Sequence, residues 1–151
     1  MRRLVLITLF LCIPMSTSVI AQEQSGAESV QDCQKRLKSH VKCFAEHARG
    51  TFAICALMIK LELQTTGSPD DGEVCVSSAK NDMFPRYKAA MKYLSKNQKG
   101  QAILKDAYAS WLAGMNTLIP DIAQFKIDYE SRTKSKEVEI DQLLTRLELE
   151  E

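Results

Sequence analysis

The sequence predicts an all-α protein: a small, disulfide-stapled helical bundle of about four to six helices, ending in an amphipathic C-terminal helix. Three observations carry that expectation. Apolar residues recur at three- and four-residue steps through nearly all of the chain beyond residue 29. Cys33, Cys43, Cys55 and Cys75 follow a leader of the export type. Turn-forming residues gather in a few places, Thr65–Gly72 foremost, and leave long segments unbroken.

The leader comes first. Met1-Arg2-Arg3 is a positive start, Leu4–Leu11 an apolar run, and Val19-Ile20-Ala21 has the small residues of a cleavage site. We read residues 1–21 as a secretory signal peptide and 22–28 as a flexible mature N-terminus. An uncleaved anchor is the competing reading, but the apolar run is short and interrupted by Pro14, Ser16, Thr17 and Ser18. Leu9-Phe10-Leu11 before Cys12 is too bulky for a lipid-anchor cysteine. No segment of the mature chain is long and apolar enough to be a transmembrane segment. The expected location is therefore periplasmic or secreted. Losing Arg2 and Arg3 takes the formal net charge from +1 to about –1, which offers nothing to nucleic acid.

Residues 29–130 are expected to form the helical domain. Val30, Cys33, Leu37, Val41, Phe44 and Ala48 make one helical stripe. Phe52–Ile59 (FAICALMI) is apolar all round, as a central buried helix is. Gly50 suits a helix end and Thr51 the next N-cap, so a reversal is expected there. One helix running straight through Gly50 is the alternative, because the stripe stays in phase. After the Thr65–Gly72 loop a helix runs from about Asp71 to Lys80. Asp82 can cap another, with Pro85 in its first turn and Met83, Tyr87, Ala90, Met91 and Leu94 buried. Asn97–Gly100 ends it. Ile103, Leu104, Ala107, Tyr108, Trp111, Leu112, Met115 and Leu118 mark the next helix, with Trp111 in the core. Pro120 predicts a break and Asp121 a restart that carries Ile122, Phe125 and Tyr129. Residues 131–151 read as a polar joint (Ser131–Lys136) followed by the amphipathic helix of Val138, Ile140, Leu143, Leu144 and Leu147. That helix is too short to be stable alone. It must dock on the domain or pair with another chain in coiled-coil fashion.

Charge is unevenly spread. Lys88, Lys92, Lys96 and Lys99 crowd one segment, and Glu137, Glu139, Asp141, Glu148, Glu150 and Glu151 the tail. Lys88, Lys92 and Lys96 could meet an anionic partner. The preferred reading is a pair of solvated faces that complement each other within the fold.

Little in the sequence suggests a reaction. His40, Cys43 and His47 stand at i, i+3 and i+7 of a helix. The outer two are roughly 10 Å apart along the axis, too far to share one ion, so only His40–Cys43 or Cys43–His47 could act as a pair, with other ligands supplied from elsewhere. Cys-x-x-Cys, His-Glu-x-x-His, Gly-x-Ser-x-Gly and Gly-rich phosphate loops are absent. Asp70, Asp71 and Glu73 suit a helix start better than calcium. The expectation is no cofactor, no metal and no enzyme activity.

The cysteines are read as two disulfides. A bridge needs Cα atoms within about 7 Å, and Cys33 and Cys43 on one helix would be ~15 Å apart. If the chain reverses at Gly50, Cys43 and Cys55 come level, and the later loop returns Cys75 to Cys33. The expected pairs are Cys43–Cys55 and Cys33–Cys75, each closing a loop worth on the order of 3 kcal/mol. A C-x9-C unit followed by two more cysteines in nested pairing is similar to the helical hairpins of mitochondrial twin C-x9-C proteins. Here Cys55 and Cys75 are 20 residues apart instead of 10, and no function is carried over. The expectation is an exported, non-catalytic protein that binds a protein partner or a second copy. A carrier of a small apolar ligand, lined by the Phe52–Ile59 segment with Met83, Met91, Met115 and Trp111, is the alternative, and a metal protein or enzyme using His40 and His47 ranks below both.

Overall fold

The computed structural model describes residues 29–119 and 122–151, with the backbone alone for 122–127. The leader, the 22–28 segment, the break at Pro120 and the side chains of Ile122 and Phe125 lie outside the described residues. Five helices follow: α1 (Val30–Leu37), α2 (His40–Thr65), α3 (Asp70–Tyr93), α4 (Gln98–Thr117) and α5 (Ile122–Leu149). The fold is the expected all-α bundle. α2 to α5 run up, down, up and down around one core, joined by short connections. α2 is the hub, packing on each of the other four.

The core explains the topology. Val41, Phe44, Ala48, Phe52 and Ile59 of α2 meet Val76, Met83 and Ala90 of α3. Leu104, Ala107, Trp111 and Met115 of α4 and Ile140, Leu144 and Leu147 of α5 close it. Burying each large side chain contributes roughly 1.5–3 kcal/mol. Trp111 is fully buried, and its indole N–H donates to the Ala48 carbonyl at 3.0 Å. Two glycines permit close packing. A Cβ on Gly114 would lie 2.9 Å from both Ile140 and Phe52, and one on Gly72 would strike the Ile59 side chain.

Four local expectations are corrected. The chain does not reverse at Gly50. α2 passes straight through it, and Thr51 donates its hydroxyl to the His47 carbonyl instead of capping a new helix. An interior glycine costs only ~1 kcal/mol, and the in-phase stripe from Val41 to Ile59 outweighs that. The real break is at Lys38–Ser39. Lys38 adopts a left-handed conformation (φ 57°), and the Ser39 hydroxyl accepts from the Lys42 amide as the N-cap of α2. Asp82 starts no helix, because α3 continues through Pro85. Proline withholds one amide there, and the Arg86 guanidinium donates to the Asp82 carbonyl at 2.8 Å. Finally, Ser131–Lys136 is no joint. It lies within α5, where Lys134–Glu137 and Lys136–Glu139 pair one turn apart.

The break at Ser39 also corrects the disulfides. The structure pairs Cys33 with Cys43 and Cys55 with Cys75, at Cα separations of 5.8 and 5.6 Å. α1 folds back on α2, so Cys33 and Cys43 face each other across the bend and never share a helix. The unbroken α2 carries Cys55 away from Cys43 and into register with Cys75 on antiparallel α3.

A candidate binding groove between α2 and α3

The outer edge of the bundle, between α2 and α3, holds a groove of about 800 Å³. One wall is an α2 stripe: Cys43, Glu46, His47, Gly50, Thr51, Ile54, Cys55 and Met58. The other is an α3 stripe: Asp71, Val74, Cys75, Ser78, Ala79, Asp82 and Arg86. Both follow three- and four-residue steps, the period that keeps side chains on one helical face. At 1.5 Å per residue each wall is ~22 Å long. Cys33 and Arg36 of α1 close one end.

Small residues shape the floor. Gly50 and Thr51 face Ser78 and Ala79 midway along the walls, and a Cβ added at Gly50 would meet nothing within 4 Å. The α2–α3 pair is held firmly beneath. The Glu62 carboxylate of α2 accepts from the Asp71 and Gly72 amides at 2.9 and 2.7 Å. It thereby caps α3 from the neighbouring helix, where Pro69 offers no side-chain cap. Cys55–Cys75 joins the same two helices covalently.

The two ends differ in chemistry. At the α1 end, Arg36 makes a two-pronged pair with Glu46 at 2.9 and 3.1 Å, near Asp82 and the nearly buried Arg86. At the other end Ile54 and Val74 are 58% and 67% exposed, with Met58 beside them. Leu57 and Leu61 extend this apolar surface along α2 at 56% and 50% exposure. FAICALMI is thus half core and half surface, where its all-round apolarity suggests full burial.

A smaller cleft of about 320 Å³ lies between α2 and α5, lined by Arg49, Gly50, Phe52, Ala53, Glu137, Ile140 and Asp141, so Gly50 borders both openings. Arg49 spans the two helices, donating to Asp141, Thr145 and Glu148. Its hydrogen bond to Glu148, more than any other contact, pushes the guanidinium pKa further up. These bonds tie the bundle together.

The other candidates scatter. Ile140, Leu144 and Leu147 are buried in the core and Leu143 packs against it, so α5 docks within its own chain. Val138 stays exposed. Lys88, Lys92 and Lys96 are exposed on another surface, where Lys88 sits 4.2 Å over the Phe84 ring. Lys99 of the basic segment pairs with Glu150 of the acidic tail, whereas Glu151 pairs with Lys42 of α2, outside that segment. Cys43 is in a disulfide, His40 stacks edge-on to Tyr93, and only His47 of that trio joins Cys43 in the groove. Among the described residues, no three of His, Cys, Asp and Glu are grouped to hold a metal ion, and no helix is long and apolar enough to cross a membrane.

Val74 and Ser78 are groove residues that the sequence pattern does not single out, whereas Ile54 and Met58 lie in the Phe52–Ile59 segment expected to line an apolar site. The available signal was an apolar helix with more apolar faces than one core could take. Set against protein-family models, curated proteins and solved structures, the chain matches none.

Proposed function

We propose that this chain is an exported, non-catalytic protein that binds a protein partner by taking an amphipathic helix of that partner into the α2–α3 groove. One observation carries the reading. Two antiparallel helices present facing stripes at helical pitch over ~22 Å, with small residues between them. That is the seat of one more helix of about four turns. α1 already lies helically at one end of it, and the exposed Ile54, Val74 and Leu57 supply the apolar surface that such an occupant buries. Export is supported by the leader together with two disulfides, which persist in oxidising compartments.

A small apolar ligand is the second reading, favoured by the groove volume, which falls within the usual ligand-site range. It would bind on the outer edge, because Met83, Met115 and Trp111 are fully packed. A photoreactive phenylalanine at Ser78, with one at Lys134 as the remote control, separates the two in the native host. Adducts from position 78 to a helical segment of one protein, lost on Gly50→Trp, are the expected result. Lipid adducts replace the reading with a carrier. Equal labelling from both positions removes the groove from the account.

A further inference from the structure

We propose that α1 is a strap across one end of the groove, latched by the Cys33–Cys43 disulfide and released when a dithiol reduces that bond. The proposal rests on the groove being the binding surface and adds how access to it is set.

Among the described residues, α1 buries little against the bundle besides this disulfide. It is eight residues long, and Cys33 is its one buried side chain. A helix of that length is not stable alone in water. Its ion pair to α2, Arg36–Glu46, joins side chains 46% and 53% exposed, a setting where such pairs contribute ~0–1 kcal/mol. Removing α1 leaves the rest in place. α2 has its own N-cap in Ser39, and the left-handed Lys38 forms the joint between the two helices. Cys33 and Arg36 line the groove, so their departure lengthens its open part.

The second disulfide supplies the contrast. Cys55 and Cys75 stand on helices that remain packed whether or not the sulfurs are joined, through the Glu62 cap and the close Gly72–Ile59 contact. Their thiols stay at high effective concentration and re-form the bond. The Cys33 and Cys43 thiols separate once α1 frays, so theirs is the more reducible pair.

The chemistry balances as ordinary exchange. With α1 frayed, a thiolate of the dithiol attacks Cys43 Sγ, the Sγ–Sγ bond breaks, and Cys33 leaves as thiolate. The second thiol then attacks the mixed disulfide and releases Cys43. Two electrons and two protons pass to the cysteines, and the dithiol becomes a disulfide.

The test equilibrates the exported chain in graded mixtures of reduced and oxidised dithiothreitol, traps thiols with N-ethylmaleimide, and maps them by mass spectrometry alongside hydrogen exchange. Cys33 and Cys43 should be trapped at a reduced-to-oxidised ratio at least tenfold below that for Cys55 and Cys75. At that point amides 30–37 should exchange freely while 40–93 stay protected. Simultaneous or reversed opening of the two bonds, or continued protection of 30–37, overturns the proposal. The Cys33→Ser/Cys43→Ser variant should also bind the apolar dye 8-anilinonaphthalene-1-sulfonate several-fold tighter than the parent, and Gly50→Trp should cancel the gain. Release of α1 without that gain overturns the strap. Cross-linking from Ser78 judges the partner reading separately.

Discussion

Three glycines show how one residue type answers to different surroundings. Gly50 is inside a helix with open space where a Cβ would go. Gly50→Ala should therefore stabilise the protein by about 0.5–1 kcal/mol in urea unfolding. Gly72 and Gly114 sit where a Cβ meets a neighbour that is itself packed, so Gly72→Ala and Gly114→Ala should each destabilise by about 1–3 kcal/mol. Glu62 carries two otherwise unpaired α3 amides, and Glu62→Ala should cost about 1–2 kcal/mol in the same measurement. Tyr129 reports on pH. Burial pushes its phenol up to about 12, with its hydroxyl donating to the Ala56 carbonyl at 3.3 Å. The folded pKa lies above the ordinary value of about 10. Its contribution is thus complete below pH 10 and is lost as pH rises toward 12. Alkaline unfolding should steepen across that window in the parent and flatten in Tyr129→Phe.

At the scale of elements, α5 is structural. Ile140, Leu144 and Leu147 are 2%, 0% and 0% exposed, and a core Leu→Ala change costs about 2–5 kcal/mol. Deleting residues 135–151 should abolish cooperative thermal unfolding, and retention of a sharp transition would show that the other helices suffice. The apolar periodicity made the helices, the core stripes and the place of Trp111 legible, because burial repeats at every turn. Breaks were harder to read. Gly50 looks like an end but has only a small propensity penalty against a strong stripe. Lys38 looks like helix interior, and its left-handed turn is set by α1 docking on α2, a tertiary cause. Both disulfides hang on that one joint, so misplacing the break exchanged the partners. The groove was hidden for a related reason. Its walls come from two helices that meet only after folding, and FAICALMI alone does not say which of its faces stays outside.

For the whole molecule, the distribution of apolar surface sets the expected behaviour. Ile54, Leu57, Leu61 and Val74, four of the eight large apolar side chains exposed among the described residues, lie on α2 and the facing part of α3, and a run of this kind suits an interaction surface. Ile54→Glu/Val74→Glu should leave the unfolding midpoint within about 0.5 kcal/mol of the parent, since both side chains are mostly exposed. It should cut partner capture from position 78 by at least tenfold. A large stability loss would mean that these residues serve the fold.

The two disulfides close loops of 10 and 20 residues, both before residue 76, while Trp111 and its packing partners on α4 and α5 come later. A chain delivered from its N-terminus therefore presents every sulfur it needs before it presents the lid of its core. Oxidation and consolidation become separate events in time. The early half can be covalently registered while the sole tryptophan still awaits its surroundings, and its fluorescence would time the second event alone.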